Sequence, residues 1–497
     1  MNSTNNIYKK AISHTAIYGV ADIIRKIVGF LMLPIYTRYL TPADYGVVEL
    51  MMMAIFFFEV FLGMRMGQAI FRYYFLAKDP KEKKAVMMTA FLMTLAASVI
   101  AYFILVANVD SVTLFLIGDT KYASILSVFA IIIISKALEE YGLIYVRVHQ
   151  RAVLFLVLSV AKLVLSLSLN IYFIVFLELS VAGVVYSASI ASGAMAIFAT
   201  IYTFYYSGMN FSKSLLKNLV LFSYPLWIAA VGGLYAVSSV NYFLRIFSGL
   251  EQVGIYALAI KFASLIMVLV WNPFTNVWHS LKYEIYEMSE SEQVYKNIFI
   301  GLTLVLSFIG LGLSLFSETI IQLMADSAFW QAGDIVPILI IAKIAQSLTS
   351  FNNFGILLKE KTGIIAVGTY INAFITTVSF FILIPLAELY GAAISILLGT
   401  IAQLLWIEWR SNKLYNMQLP WVRFLLMTAT WLMCYLVSLL LPAGLLISVT
   451  GKILILILFV ILMYVLPILK KEEKTQILTY AWSAIGKVRS YFASVRT

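Results

Sequence analysis

Basic side chains interrupt several long apolar stretches of the chain. If those stretches cross a bilayer, each such charge costs at least about 2.5–3.5 kcal/mol near the membrane centre, so it must face a cavity or pair with another charge. Lysine and arginine recognise phosphate and pyrophosphate through charge-assisted hydrogen bonds. Their surplus over the embedded acids therefore favours an anionic ligand. The candidates for a cationic binding cleft are Arg25, Lys26, Arg65, Lys136, Lys162, Lys261 and Lys343.

Helical spacing allows some of these cations to pair within their own helix. Asp22 lies three residues before Arg25, and Lys136 has Glu139 and Glu140 at three and four residues. Side chains at these spacings are neighbours on a helix surface. The alternative to a ligand-binding role is therefore an ion pair that serves only helix packing.

Other embedded cations have no acid in reach on the same helix. Neither Arg65 nor Lys162 has an acidic residue three or four positions away, and the same is true of Lys261 and Lys343. These four either pair across helices or face a cavity, and the sequence leaves both alternatives open.

The composition shows what must position these residues. Of 497 residues, 62% are hydrophobic and 12% are charged, whereas soluble domains are about 45–50% apolar and about 25% charged. These values exclude a soluble enzyme, a nucleic-acid-binding domain and a disordered chain. One cysteine and three scattered histidines exclude a disulfide framework and a metal-ligand cluster, and no Walker A pattern is present. We expect a polytopic membrane protein without cofactor, metal or nucleic-acid partner.

The apolar stretches predict an all-α fold of about fourteen transmembrane helices, since helices satisfy every backbone polar group within the segment. The linkers are short, and no soluble domain is inserted. We expect residues 471–497 to form a short amphipathic tail at the membrane surface. The predicted spans are 11–37, 45–71, 85–107, 122–147, 152–176, 180–206, 217–246, 252–279, 296–317, 334–358, 363–386, 389–410, 421–442 and 450–469.

The distribution of lysine and arginine predicts the orientation. With the N-terminus in the cytoplasm, 24 basic residues fall on the inner side and three on the outer side. This bias follows the positive-inside rule. It predicts that both termini are cytoplasmic and accounts for most of the net charge of +11.

Two matching stretches indicate an internal repeat. Residues 38–50 and 245–258 each begin with an arginine that ends a span, continue through a short outer turn with an acid before a glycine (Gly46 and Gly254), and enter an apolar helix. Each copy lies at the first hairpin of a block of six spans, spans 1–6 or spans 7–12. The two blocks would be parallel repeats. We expect six-helix bundles at 1–210 and 211–415 around a central cleft, two further helices at 416–470, and the cytoplasmic tail at 471–497.

The residues around both hairpins resemble the polysaccharide transporters, the Wzx-type flippases of the multidrug/oligosaccharidyl-lipid/polysaccharide (MOP) superfamily. The similar stretches are 25–34, 37–46, 67–74, 222–226 and 250–261. The resemblance implies alternating-access translocation of an undecaprenyl-pyrophosphate-linked oligosaccharide, such as an O-antigen, capsule or exopolysaccharide unit, across the bacterial inner membrane. It implies no enzymatic activity. A polysaccharide polymerase and a chain-length regulator are the further partners that it suggests.

The resemblance also ranks the site residues. Lys26, before Ile-Val-Gly-Phe, falls where the related lipid II flippases have a substrate-binding arginine, and Arg25 lies beside it. Many relatives carry an Asp-Arg pair in span 7, but this chain has Asn241, Tyr242 and Phe243 there. If an ion gradient drives transport, Asp22 and Glu59 are therefore the candidate coupling acids.

Two other functions compete with the flippase. A drug/cation antiporter of the multidrug-extrusion (MATE) type usually has twelve spans and fewer buried cations. An O-antigen polymerase or ligase commonly carries a large outer loop with catalytic residues, whereas the longest outer loops here have about 14–16 residues.

Overall fold

A computed structural model describes residues 30, 32–62, 66–207, 210–442 and 445–468. Several predicted features lie outside these residues. They are the greater part of the span 11–37, the tail 471–497, and the side chains of Asp22, Arg25, Lys26 and Arg65.

The described residues form helices and no strand, so the all-α prediction is confirmed. The helices are joined by short turns and by single turns of 3₁₀ or π helix. We number the α-helices α1 (Leu33–Tyr39), α2 (Pro42–Leu62), α3 (Gly67–Leu76), α4 (Pro80–Ala107), α5 (Val109–Leu116), α6 (Ala123–Phe129), α7 (Ile131–Val148), α8 (Ala152–Asn170), α9 (Ser180–Ser207), α10 (Lys213–Ser248), α11 (Leu250–Ala263), α12 (Asn272–Tyr286), α13 (Ser291–Met324), α14 (Ala332–Asn352), α15 (Phe354–Leu358), α16 (Gly363–Leu414), α17 (Trp421–Ser438) and α18 (Leu445–Val465).

Ten helices among the described residues are long and apolar enough to cross a membrane. The longest, α16, has 52 residues and a kink at Ala387 and Glu388, where φ and ψ leave the helical region. That kink lies between the predicted spans 363–386 and 389–410, so α16 holds two of them. The chain is a multi-pass membrane protein.

The chain divides into two compact units. The first unit comprises Met1–Lys261, Ile321–Ala332 and Thr369–Gly399; the second comprises Phe262–Ile320, Gly333–Gly368 and Thr400–Thr497. In the first unit, the rings of Phe91 and Tyr141 pack edge to face at 5.1 Å between α4 and α7. In the second, Trp278 and Phe351 stack at 4.4 Å between α12 and α14. The sequence boundaries at 210 and 415 stay a prediction.

The two copies of the sequence repeat meet inside the first unit. A Cβ atom on Gly46 of α2 would lie 3.1 Å from the amide nitrogen of Gly254 of α11, and a Cβ on Gly254 would lie 3.0 Å from the amide nitrogen of Gly46. Each added Cβ would also collide with the carbonyl oxygen four residues before the other glycine, at Leu250 or Pro42. The crossing is reciprocal, and both backbones need a residue without a side chain here.

Candidate functional site

A cavity in the first unit contains Lys136, one of the predicted binding cations. It lies among α2, α3, α4 and α7 and has about 700 Å³ of empty volume, including the space at its mouth. The Lys136 ammonium lies 3.8 Å from the carboxylate of Glu59 on α2, and the lysine side chain is 36% exposed. The predicted substrate-binding cation and the predicted coupling acid therefore share one cavity.

The other walls of this cavity combine polar and aromatic groups. Glu140, one turn beyond Lys136 on α7, lines it, as do Thr94 and Ser98 of α4. Tyr141 also lines it, and its hydroxyl donates to the carbonyl of Met87, which holds α7 against α4. The cavity thus presents one ammonium and two carboxylates beside neutral hydrogen-bonding groups.

Lys162 pairs across helices, one of the two alternatives that the sequence left open. Its ammonium on α8 lies 2.8 Å and 2.6 Å from the two carboxylate oxygens of Glu139 on α7. The Glu139 side chain is 10% exposed. Adjacent helix residues point about 100° apart, so Glu139 faces α8 while Glu140 faces the Lys136 cavity.

Lys261, three residues after the second copy of the repeat, binds side chains of the first copy. Its ammonium on α11 lies 3.0 Å from the carboxylate of Glu49 on α2 and donates to the hydroxyl of Tyr45. It also stands 4.6 Å from the centre of the Tyr45 ring, within cation–π range. This cluster lies within one helical turn of Gly46.

Lys343 differs from the three paired lysines. Its ammonium lies 3.3 Å from the side-chain oxygen of Gln346, three residues later on α14. Among the described residues it forms no ion pair. It lies in the second unit, whereas Lys136, Lys162 and Lys261 lie in the first.

Sequence reasoning missed two side chains of the first unit. In the sequence, Tyr45 stands out only as part of the first repeat copy, but in the structure its hydroxyl accepts a hydrogen bond from Lys261. Trp227 of α10 donates its ring N–H to the carbonyls of Val60 and Phe61 at 2.8 and 3.0 Å. No local signal in the sequence could have found these contacts, because each joins residues far apart along the chain.

Within the described part of the chain, no group of three or more histidine, cysteine or acidic residues could hold a metal ion. The arrangement binds charge through paired lysines and carboxylates. Paired in this way, the side chains of the described residues can bind and release charged groups.

Comparison with known proteins gives one family match. Residues 11–279 match the model of a family described as polysaccharide biosynthesis protein. No curated protein sequence matches the chain.

Solved structures share the fold at low sequence identity. The chain is similar to the lipid II flippase MurJ in an inward closed conformation, with TM-score 0.73 and 14% identity over 90% of this chain and 99% of that chain. It is similar to an inward-facing multidrug resistance MATE transporter of the MOP superfamily, with TM-score 0.63 and 16% identity over 78% and 95%. A MOP transporter from Pyrococcus furiosus gives 0.54 and 18% over 82% and 96%.

Proposed function

The chain belongs to the polysaccharide biosynthesis protein family, and from this membership we propose that it is a flippase for a polyprenyl-pyrophosphate-linked oligosaccharide. The observation that carries the proposal is the family match over residues 11–279. The fold shared with a lipid II flippase supports it. The cargo is an O-antigen, capsule or exopolysaccharide unit, and the membrane is the bacterial inner membrane.

The charge at membrane depth supports an anionic cargo. Lys136 meets Glu59 at 3.8 Å and is partly exposed to the cavity, so a pyrophosphate can compete for its ammonium. Lys162, at 2.6 Å from Glu139, is already engaged. Among the residues that the structure describes, Lys136 is therefore the cation best placed to contact the pyrophosphate. Arg25, Lys26 and Arg65 would join it, as the sequence predicts. The sugar would occupy an aqueous path and the polyprenyl tail the bilayer.

An ion gradient would drive translocation by alternating access. Glu59 is the described carboxylate that both lines the cavity and contacts a candidate binding lysine. Protonation of Glu59, or its binding of a cation, would weaken its attraction for Lys136 and free the ammonium for cargo. Asp22 stays the second candidate from the sequence.

Placement in the cell rests on the charge asymmetry of the loops. The distribution of 24 basic residues against three favours cytoplasmic termini. In that orientation cargo is loaded from the cytoplasmic side. A polymerase and a chain-length regulator would receive it on the other side.

The carboxylates Glu59 and Glu140 in one cavity favour a second candidate, a drug/cation antiporter. Carboxylates and aromatic rings bind organic cations more favourably than they bind the anionic pyrophosphate. Overexpression in a drug-sensitive strain separates the two functions, because an antiporter raises resistance and a flippase for lipid-linked sugar does not.

The decisive experiment is flipping in proteoliposomes. A fluorescent polyprenyl-pyrophosphate oligosaccharide is reconstituted with purified protein, and an impermeant quencher reports the fraction that reaches the outer leaflet. We expect rapid exchange with the wild type and a large loss in the triple variant Arg25→Ala, Lys26→Ala and Arg65→Ala. Full activity of that variant, both here and in complementation of a flippase-null strain, contradicts the proposal.

A further inference from the structure

A second concave site lies at one end of the first unit, apart from the Lys136 cavity. It collects residues from the start of α4 and from the ends of α3, α7 and α9. The loops at this end carry Lys78 and His149–Arg151, which the positive-inside count assigns to the cytoplasm. Its charged and polar walls come from Lys83, Lys84, His149, Arg151, Tyr74 and Tyr206.

Two of the three basic residues of this pocket, Lys83 and Arg151, lie over aromatic rings. The Lys83 ammonium lies 5.4 Å from the centre of the Tyr74 ring, and the Arg151 guanidinium lies 5.3 Å from that of Tyr206. Arg151 also donates to the hydroxyl of Tyr202. Hydrogen bonds with Tyr206 and Tyr202 raise the pKa of Arg151. Rings and hydroxyls orient these cations without neutralising them.

His149 fixes the back wall of the pocket. One ring nitrogen, Nδ1, lies 2.9 Å from the carbonyl oxygen of Tyr145, and Nε2 lies 3.2 Å from the Tyr74 hydroxyl. Because a carbonyl only accepts, Nδ1 carries a proton and donates. The imidazole thereby ties the tyrosine that contacts Lys83 to the end of α7.

No acidic side chain is among the residues that line this pocket. Asp79 and Glu82 are close along the chain but do not line the pocket. The Asp79 carboxylate accepts from the backbone N–H of Lys81 and caps α4. Three positively charged side chains therefore line about 650 Å³ of empty volume, and no carboxylate lies in the wall. An anion with several oxygens would satisfy them together.

The surroundings indicate an anion attached to an acyl chain. Phe75 and Leu76, at the end of α3 directly after Tyr74, are 60% and 62% exposed, and Tyr205, beside Tyr206, is 82% exposed. Large apolar side chains next to a basic pocket at the end of membrane spans match the two parts of a phospholipid. We propose that this pocket binds the phosphate head group of an anionic membrane phospholipid, a site distinct from the transport cavity.

Lipid titration followed by native mass spectrometry of the full-length protein tests this proposal. The probes are phosphatidylglycerol, phosphatidylcholine and undecaprenyl pyrophosphate. We expect the triple variant Lys83→Gln, Lys84→Gln and Arg151→Gln to bind phosphatidylglycerol at least about tenfold more weakly than the wild type, since each basic residue near an anionic lipid contributes about 1 kcal/mol. Binding of phosphatidylcholine should not change.

A matched control removes three charges from the same predicted side but outside the pocket. Lys78→Gln, Lys81→Gln and Lys213→Gln alter exposed lysines that do not line the pocket. At an ionic strength that screens exposed charges, they should leave phosphatidylglycerol affinity within about twofold. The charge-conserving variant Lys83→Arg, Lys84→Arg and Arg151→Lys should retain binding. If the triple glutamine variant does not fold, Lys84→Gln alone, an exposed position, replaces it and should weaken binding measurably.

Three results overturn the proposal. One is an equal loss of phosphatidylglycerol binding in the control variant, which would mean general surface attraction. Another is full displacement of the lipid by millimolar inorganic phosphate, which would mean a site for a soluble anion. The third is a pocket-dependent preference for undecaprenyl pyrophosphate, which would assign the pocket to the cargo. The proposed flippase function survives all three results.

Discussion

Gly46 and Gly254, which occupy matching positions in the two copies of the sequence repeat, contact each other directly. A Cβ on either glycine would lie about 3 Å from the amide nitrogen of the other. The carbonyl oxygens that close the contact belong to Pro42 and Leu250, each four residues before a glycine. A repeat detected as a short sequence match is therefore also a reciprocal helix crossing, and the match is explained by a shared need for close backbone approach.

Substitution at this crossing should destabilise the protein. Gly46→Ala or Gly254→Ala forces α2 and α11 apart, and overpacking of this kind costs about 1–3 kcal/mol. We expect a lower apparent midpoint of thermal unfolding for each variant, measured by size-exclusion chromatography after heating. Gly301→Ala is the control, since a Cβ there meets nothing within 4 Å and alanine favours a helix. Equal midpoints for all three variants would refute the close crossing.

The Lys261–Glu49 pair should act as a structural link between α2 and α11. Because both side chains are partly exposed, we expect a coupling energy of about 1 kcal/mol in a double-mutant cycle of Lys261→Gln and Glu49→Gln. The reversed pair, Lys261→Glu with Glu49→Lys, should recover part of the loss in thermal stability. If the two single variants add without coupling, Lys261 does not depend on Glu49.

The Lys162–Glu139 pair should show the cost of leaving one charge alone. Lys162→Met strands a carboxylate that is 10% exposed, and removal of one partner of a buried pair costs about 3–5 kcal/mol. We expect low membrane abundance of Lys162→Met and of Glu139→Gln, measured by fluorescence of a fused reporter. The double variant Lys162→Met with Glu139→Leu should recover abundance. A double variant as poor as the singles would argue for a role beyond helix packing.

Lys136 should matter for transport more than for folding. Lys136→Gln removes the ammonium from the cavity, and we expect at least about a tenfold loss of flipping in proteoliposomes at unchanged abundance, since a lost contact between an ammonium and a phosphate costs about 1.5–3 kcal/mol. Lys121→Gln is the matched control, because this exposed lysine lies outside the cavity and pairs with Asp119 at 3.2 Å. If the Lys136→Gln variant flips lipid at the wild-type rate, Lys136 does not contribute to binding of the cargo.

Glu59 should report coupling to an ion gradient. Glu59→Gln keeps the shape of the side chain but cannot change charge. We expect flipping driven by an imposed proton or sodium gradient to fall to the rate without a gradient, while passive exchange persists. If gradient-driven flipping persists at the wild-type rate in Glu59→Gln, Glu59 is not the coupling acid, and Asp22 becomes the candidate.

The spans were predictable because hydropathy is a local property. Each stretch of about twenty apolar residues must be helical in lipid whatever its neighbours are. The break between the predicted spans at 386 and 389 was recovered as the kink of α16 at Ala387 and Glu388. The internal repeat could also be detected from the sequence, since both copies have the arginine, the acid and the glycine in the same order.

The charge partners were decided only by the tertiary structure. Helical spacing offered Lys136 the acids at 139 and 140, yet its ion pair is with Glu59 on another helix, and Glu139 binds Lys162 instead. Lys261 pairs with Glu49, 212 residues away. A charge in a membrane segment must find a partner or a cavity, so the sequence alone determined that these residues were constrained. Which partner each one took depends on how the helices pack, and no local pattern contains that information.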